Sequence, residues 1–99
     1  MREMRIVQIQ PISPLVDKDA DNSNVDVHVY LDDGRVYSFL FATPKNIYWC
    51  MDNERADYFF GVPPVLVRKL TADNIRQALD AIIAEDSDKW LKVYGVLQE

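Results

Sequence analysis

Within residues 57–83, DYFFGVPPVLVRKLTADNIRQALDAII, the spacing of the apolar side chains changes once, at Thr71. Before it, Val65, Leu66 and Val67 make a short run rich in β-branched residues. It is too brief for a helix and suited to a buried strand. Pro63 and Pro64 can open such a strand but cannot lie inside it, because neither carries an N–H for the ladder. After Thr71, Ile75, Ala78, Leu79, Ile82 and Ile83 recur at i, i+3, i+4, i+7 and i+8, the stripe of an amphipathic helix. The Thr71 hydroxyl can accept an N–H of the first turn, and Asp73 favours the positive end of the helix dipole. A helix of this length alone is marginal in water. Burial of its four large aliphatics, roughly 2 kcal/mol each, requires a sheet beneath it.

Two more apolar runs supply that sheet. Residues 25–31 and 35–42 form a hairpin across Asp32-Asp33-Gly34, and its register can be derived. A two-residue Asp33-Gly34 turn would set Val29 opposite Ser38 and His28 opposite Phe39, mixing polar and apolar groups on both faces. A three-residue loop with Gly34 in the left-handed conformation places Val25, Val27, Val29 and Leu31 across from Phe41, Phe39, Tyr37 and Arg35. A one-residue slip moves every side chain to the opposite face, so the hydrophobic pattern selects the three-residue loop. The second face then carries Asp26, His28, Tyr30, Val36, Ser38 and Leu40. It is only half polar, which makes His28, Tyr30, Val36, Ser38 and Leu40 candidates for an interface with another element or a partner.

The remaining segments follow weaker signals. Residues 4–10 read as a strand near a sheet edge, with Val7 and Ile9 on one side and Ile6, Gln8 and Gln10 on the other. Residues 17–24, DKDADNSN, read as a polar, mobile loop with almost nothing to bury. Thr43-Pro44 has the form of an N-cap and a first helical proline, predicting a helix from Pro44 to Glu54. The strand-favouring run Ile47-Tyr48-Trp49-Cys50-Met51 makes a turn and strand its competitor. With the helix, the hairpin and the Val65 strand become parallel neighbours. Tyr58-Phe59-Phe60 is expected as a short strand or an anchor under the helices. Ser87 begins a last helix through Tyr94, stopped by Gly95, with Trp90, Leu91 and Tyr94 or Val93 packing inward.

These elements predict one α+β domain over residues 1–99, a mixed or antiparallel sheet of four to five strands with two to three helices on one face. A chain of 99 residues, 48% hydrophobic, hides roughly 65% of its unfolded surface, enough for a core without covalent staples. Sixteen acids against eleven bases, a net charge of -5, argue against nucleic acid and against anionic membranes as partners. A single cysteine allows no internal disulfide and suits a reducing cytoplasm, and the first ten residues lack the apolar core of a signal peptide.

Chemical motifs are sparse. Asp17, Asp19 and Asp21 alternate like the first ligands of a calcium loop, but the twelfth position is His28 where a bidentate Glu is required, so they are weak metal candidates. Cys50 and His28 could serve as nucleophile and base only if the fold joined them. Asp32 and Asp33 sit where a hairpin wants turn residues. No Gly-rich phosphate loop, zinc-protease or serine-hydrolase signature occurs. No catalytic residue and no cofactor is therefore assigned. The expectation is a non-catalytic protein-interaction module whose partner is a second copy or a basic protein that it masks as an inhibitor or immunity protein. The alternative is a small enzyme or ligand-binding domain with a pocket between sheet and helices.

Overall fold

The computed structural model describes residues 5–11, 15, 19–60, 63–85 and 87–98. The chain is an α+β protein, with a five-stranded mixed sheet and three helices among the described residues. Strand β1 (Ile6–Pro11), strand β2 (Asn24–Leu31) and strand β3 (Val36–Ala42) are antiparallel neighbours. Helix α1 (Pro44–Glu54) leads to strand β4 (Val65–Leu66), which pairs parallel with β3. Helix α2 (Ala72–Ala84) and helix α3 (Ser87–Tyr94) follow, and strand β5 (Gly95–Gln98) returns antiparallel to β3. Both β4 and β5 lie on the side of β3 away from β2. β5 covers Val36–Phe39 and β4 covers Phe41–Ala42, end to end.

The hairpin has the register that the hydrophobic pattern demands. Val25, Val27 and Val29 stand opposite Phe41, Phe39 and Tyr37, and the Leu31 N–H donates to the Arg35 carbonyl at 2.9 Å across the three-residue loop. Gly34 has φ 91°, a conformation that a residue with a Cβ adopts only under strain. Asp33 closes the turn by accepting from the Arg35 backbone N–H at 2.9 Å. Its carboxylate also meets the Arg35 guanidinium at 2.6 Å, and this hydrogen bond raises the Arg35 pKa above its usual value. Arg35 therefore stays cationic throughout the physiological range, its Nη1 donating to the Tyr37 hydroxyl at 3.1 Å.

Strand β1 departs from the alternation its sequence suggests. Ile6 pairs with Leu31 and Gln8 with Tyr30, so Val7 is an extra residue in a β-bulge. The bulge changes the parity of the strand. Ile6 and Ile9, three apart, both reach the core, whereas Val7, expected beside Ile9, is 64% exposed.

The core lies on the face of the sheet covered by α2 and α3. Phe39, Phe41, Val27 and Val29 meet Ile75 and Leu79 of α2 and Leu91 of α3, all at most 1–2% exposed. Ile82, Ile83 and Tyr94 pack around them, while Val93 is exposed. The expected inward packing of Trp90 falls outside the described side chains. Helix α2 starts as its sequence requires, the Asn74 N–H donating to the Thr71 hydroxyl at 3.1 Å, with Asp73 in the first turn.

Helix α1 is held differently, by a polar junction. Thr43, with no exposed surface, accepts from the Asn46 N–H at 3.2 Å and from the Ser23 N–H at 3.4 Å, and donates to the Asp21 carbonyl at 2.8 Å. The Asn46 side chain, buried, accepts from the Asn24 amide at 2.8 Å and donates to Asn22 at 3.0 Å. The loop expected to be solvated is thus bound over residues 19–23. Ser23 is buried, its hydroxyl donates to the Asp19 carbonyl, and the Leu70 N–H donates to the Ala20 carbonyl at 2.7 Å. Short polar side chains do here what apolar ones do elsewhere, because each buried amide finds a partner.

The aromatic run corrects another expectation. Tyr58 and Phe60 are 66% and 84% exposed and Phe59 39%, so the segment is neither a strand nor an anchor under the helices. Tyr58 and Phe60 stack on each other, centroids 5.9 Å apart, as residues two apart in an extended chain can.

Gly95 is more than a helix stop. It begins β5 opposite Phe39, and an added Cβ would lie 2.8 Å from the Leu91 carbonyl oxygen and 2.9 Å from Tyr37 Cδ1. The first contact is backbone and cannot rotate away. Gly95→Ala is therefore expected to cost roughly 2 kcal/mol in urea unfolding, by overpacking the α3–β5 corner. An unchanged midpoint would show that the corner can open.

Candidate interaction surface

The antiparallel register that buries Val27 and Phe39 turns their neighbours to the second face. There His28 lies opposite Ser38, Tyr30 opposite Val36, and Leu40 opposite Asp26. The five expected interface residues, His28, Tyr30, Val36, Ser38 and Leu40, therefore share one surface, and each is half-buried. Strand β1 contributes Gln8 beside Tyr30 and Gln10 beside His28, and the Tyr30 hydroxyl donates to Gln10 Oε1 at 3.2 Å. Strand β5 contributes Val96 beside Ser38 and Gln98 beside Val36. The sequence carries no local signal for this extension. A four-residue strand after a helix-stopping glycine carries too few alternating residues to be recognised, and only its partner β3 reveals it.

No helix contributes a buried residue to this face among the described residues. The buried residues of α2 and α3 belong to the opposite cluster, and the one buried residue of α1 is Asn46 in the polar junction. Asp26 is the only carboxylate on the face within the described strands, in a chain with sixteen acids. The surface is thus wide, nearly uncharged, and a mixture of aliphatic, aromatic and amide groups.

The other candidate chemistry is dispersed. Cys50 is on α1, where its thiol donates to Asn46 Oδ1 at 3.8 Å, and His28 belongs to the sheet face; no contact joins them among the described residues. Asp17 lies outside the described residues. Asp19 and Asp21 are turn formers, the Asp21 N–H donating to the Asp19 carboxylate at 3.0 Å. No group of three or more His, Cys, Asp or Glu placed to hold a metal occurs among the described residues. Asp32 and Asp33 both serve the hairpin, Asp32 by exchanging hydrogen bonds with the Arg5 backbone at 2.9 and 3.4 Å.

Two further features carry exposed apolar surface. Helix α1 turns Tyr48 (68% exposed) and Trp49 (52%) outward, on the side away from half-buried Ile47, Cys50 and Met51. A cleft of about 360 Å³ also opens between β4 and the ends of α2 and α3, with Val65, Leu66, Ile82 and Tyr94 among its walls. No described helix is long and apolar enough to cross a membrane. No protein-family model, curated protein or solved structure matches the chain.

Proposed function

We propose that the protein is a non-catalytic protein-interaction module that pairs with a second copy of itself through the second face of β1, β2, β3 and β5. The supporting observation is the near absence of charge on that face. Two chains of net charge -5 repel each other, and the repulsion is least where one carboxylate is spread over four strands. Interface centres are likewise depleted of charge and enriched in Tyr and other groups that are apolar with a polar tip.

Geometry limits the strength. Four strands about 4.8 Å apart and four to eight residues long present roughly 400 Å² of plan area. That is below the ~800 Å² per partner of a standard stable interface, so the dimer is weak and concentration-dependent. A basic protein masked by this chain is the competing occupant, and it would leave the isolated chain monomeric.

Sedimentation equilibrium from about 1 µM to 1 mM tests the reading. The apparent mass should rise toward that of a dimer, and Ser38→Glu, which adds a carboxylate to this face of each copy, should restore the monomer mass without altering the far-UV spectrum. A strict monomer at the upper concentration, or a dimer indifferent to Ser38→Glu, removes self-association through this face.

A further inference from the structure

We infer that the cleft between β4 and α2 is a second docking site, for an extended peptide segment of a partner protein. It would carry a large apolar side chain into the cleft and a lysine or arginine beside it. The site is separate from the sheet face, so the outcome of either test leaves the other undecided.

Three observations converge there. First, among the described residues β4 has one strand neighbour, β3, and ends the sheet on that side. The Val67 N–H donates inward to the Ala42 carbonyl at 3.0 Å. Because backbone groups alternate along a strand, the N–H and C=O of Leu66 point to the outer edge, where an added strand finds its partners.

Second, the cleft borders this edge. Its walls include Val65 and Leu66 of the strand with Pro64 before it, Ala81 and Ile82 of α2, and Tyr94 of α3. Leu66 is 53% exposed. A volume of about 360 Å³ is ample for a leucine, isoleucine or phenylalanine side chain, at the lower end of the range for small-ligand pockets. An added strand would direct alternate side chains toward such a cleft, while its main chain bonds the edge.

Third, the charge at the mouth has one sign. Among the described residues Glu85 is the one charged residue of the lining, and it caps the C-terminus of α2, whose last turn holds no basic residue. It has no ion-pair partner among the described residues. The negative end of the helix dipole adds to its carboxylate. A cation on the peptide would complete both. A second copy of this acidic chain fits the mouth poorly, as would an acidic peptide.

The test selects a phage-displayed library of random twelve-residue peptides on the full chain, counter-selected on Ala81→Trp. Ala81 is an exposed wall residue, so the indole fills the cleft without entering the core. Enriched sequences should combine a large aliphatic or aromatic residue with a neighbouring Lys or Arg. For the best labelled peptide, fluorescence anisotropy should show binding weakened about tenfold or more by Ala81→Trp and several-fold by Glu85→Lys, the latter loss shrinking with added salt. Amide shifts in the titrated protein should fall on Val65, Leu66, Val67 and the end of α2. An analogue N-methylated at successive positions should lose binding at the residue that pairs with Leu66. The inference is overturned if no sequence is enriched over Ala81→Trp, if acidic peptides dominate, if N-methylation nowhere matters, or if the shifts map to the second face of the sheet.

Discussion

Phe39→Ala is expected to destabilise the protein by about 3–5 kcal/mol, while Ser38→Ala, one residue away, changes stability by less than about 0.5 kcal/mol. Phe39 is 1% exposed, stands opposite Val27, packs its ring 6.4 Å from that of Phe41, and lies within reach of Gly95 at the start of β5. Truncation removes the buried ring and leaves a cavity that sheet and helices cannot both collapse into. Small domains have only about 5–15 kcal/mol of stability in total, so the variant should be near the edge of folding. Urea unfolding followed by circular dichroism gives both values. Equal effects at positions 38 and 39 would mean that the two faces of β3 are not distinct.

Thr43→Val should cost about 2–4 kcal/mol, although the two side chains have nearly the same shape. The substitution leaves the buried Asn46 and Ser23 N–H groups without the hydroxyl that now accepts from them, and the Asp21 carbonyl without its donor. Loss of an N-cap contributes about 1 kcal/mol, and each buried group left unsatisfied a further ~1–3 kcal/mol, partly offset by water entering the junction. Thr43→Ser keeps the hydroxyl and should retain most of the stability. Amide hydrogen exchange localises the effect: protection at Asn46 and Ile47 should fall first, because the junction is the principal attachment of α1. If valine and serine behave alike, the hydroxyl is not what holds the helix.

The two variants separate two kinds of information in the chain. Val25, Val27 and Val29 against Phe41, Phe39 and Tyr37 could be paired from residue order, because a strand has period two and the Asp-Asp-Gly loop admits a register that sorts polar from apolar. The helix starts at Thr43 and Thr71 were equally legible, since a hydroxyl reaches an N–H only three residues away. The surface carrying His28, Tyr30, Val36, Ser38 and Leu40 followed from the same alternation. The polar junction did not. Asn46 is more than twenty residues from both Asn22 and Asn24, and nothing local marks an asparagine that will be buried by a distant one.

The same limit explains the errors of phase and exposure. Ile6 and Ile9 cannot share a face in a regular strand, so sequence spacing divided them; the bulge at Val7 exists only relative to β2 and restores both to the core. The aromatics at 58–60 looked like core because their transfer free energy favours burial. Burial also needs an opposing surface, and the chain places theirs elsewhere.

Sequence by itself determined what depends on neighbours within about four residues: helix starts, the hairpin loop and its register, and the alternation that makes one sheet face apolar and the other mixed. Tertiary structure alone decided the phase of β1, the docking of β5, the burial of Asn46 and the cleft beside β4. Each of these requires a second segment, distant along the chain, to supply the hydrogen bonds or the opposing wall.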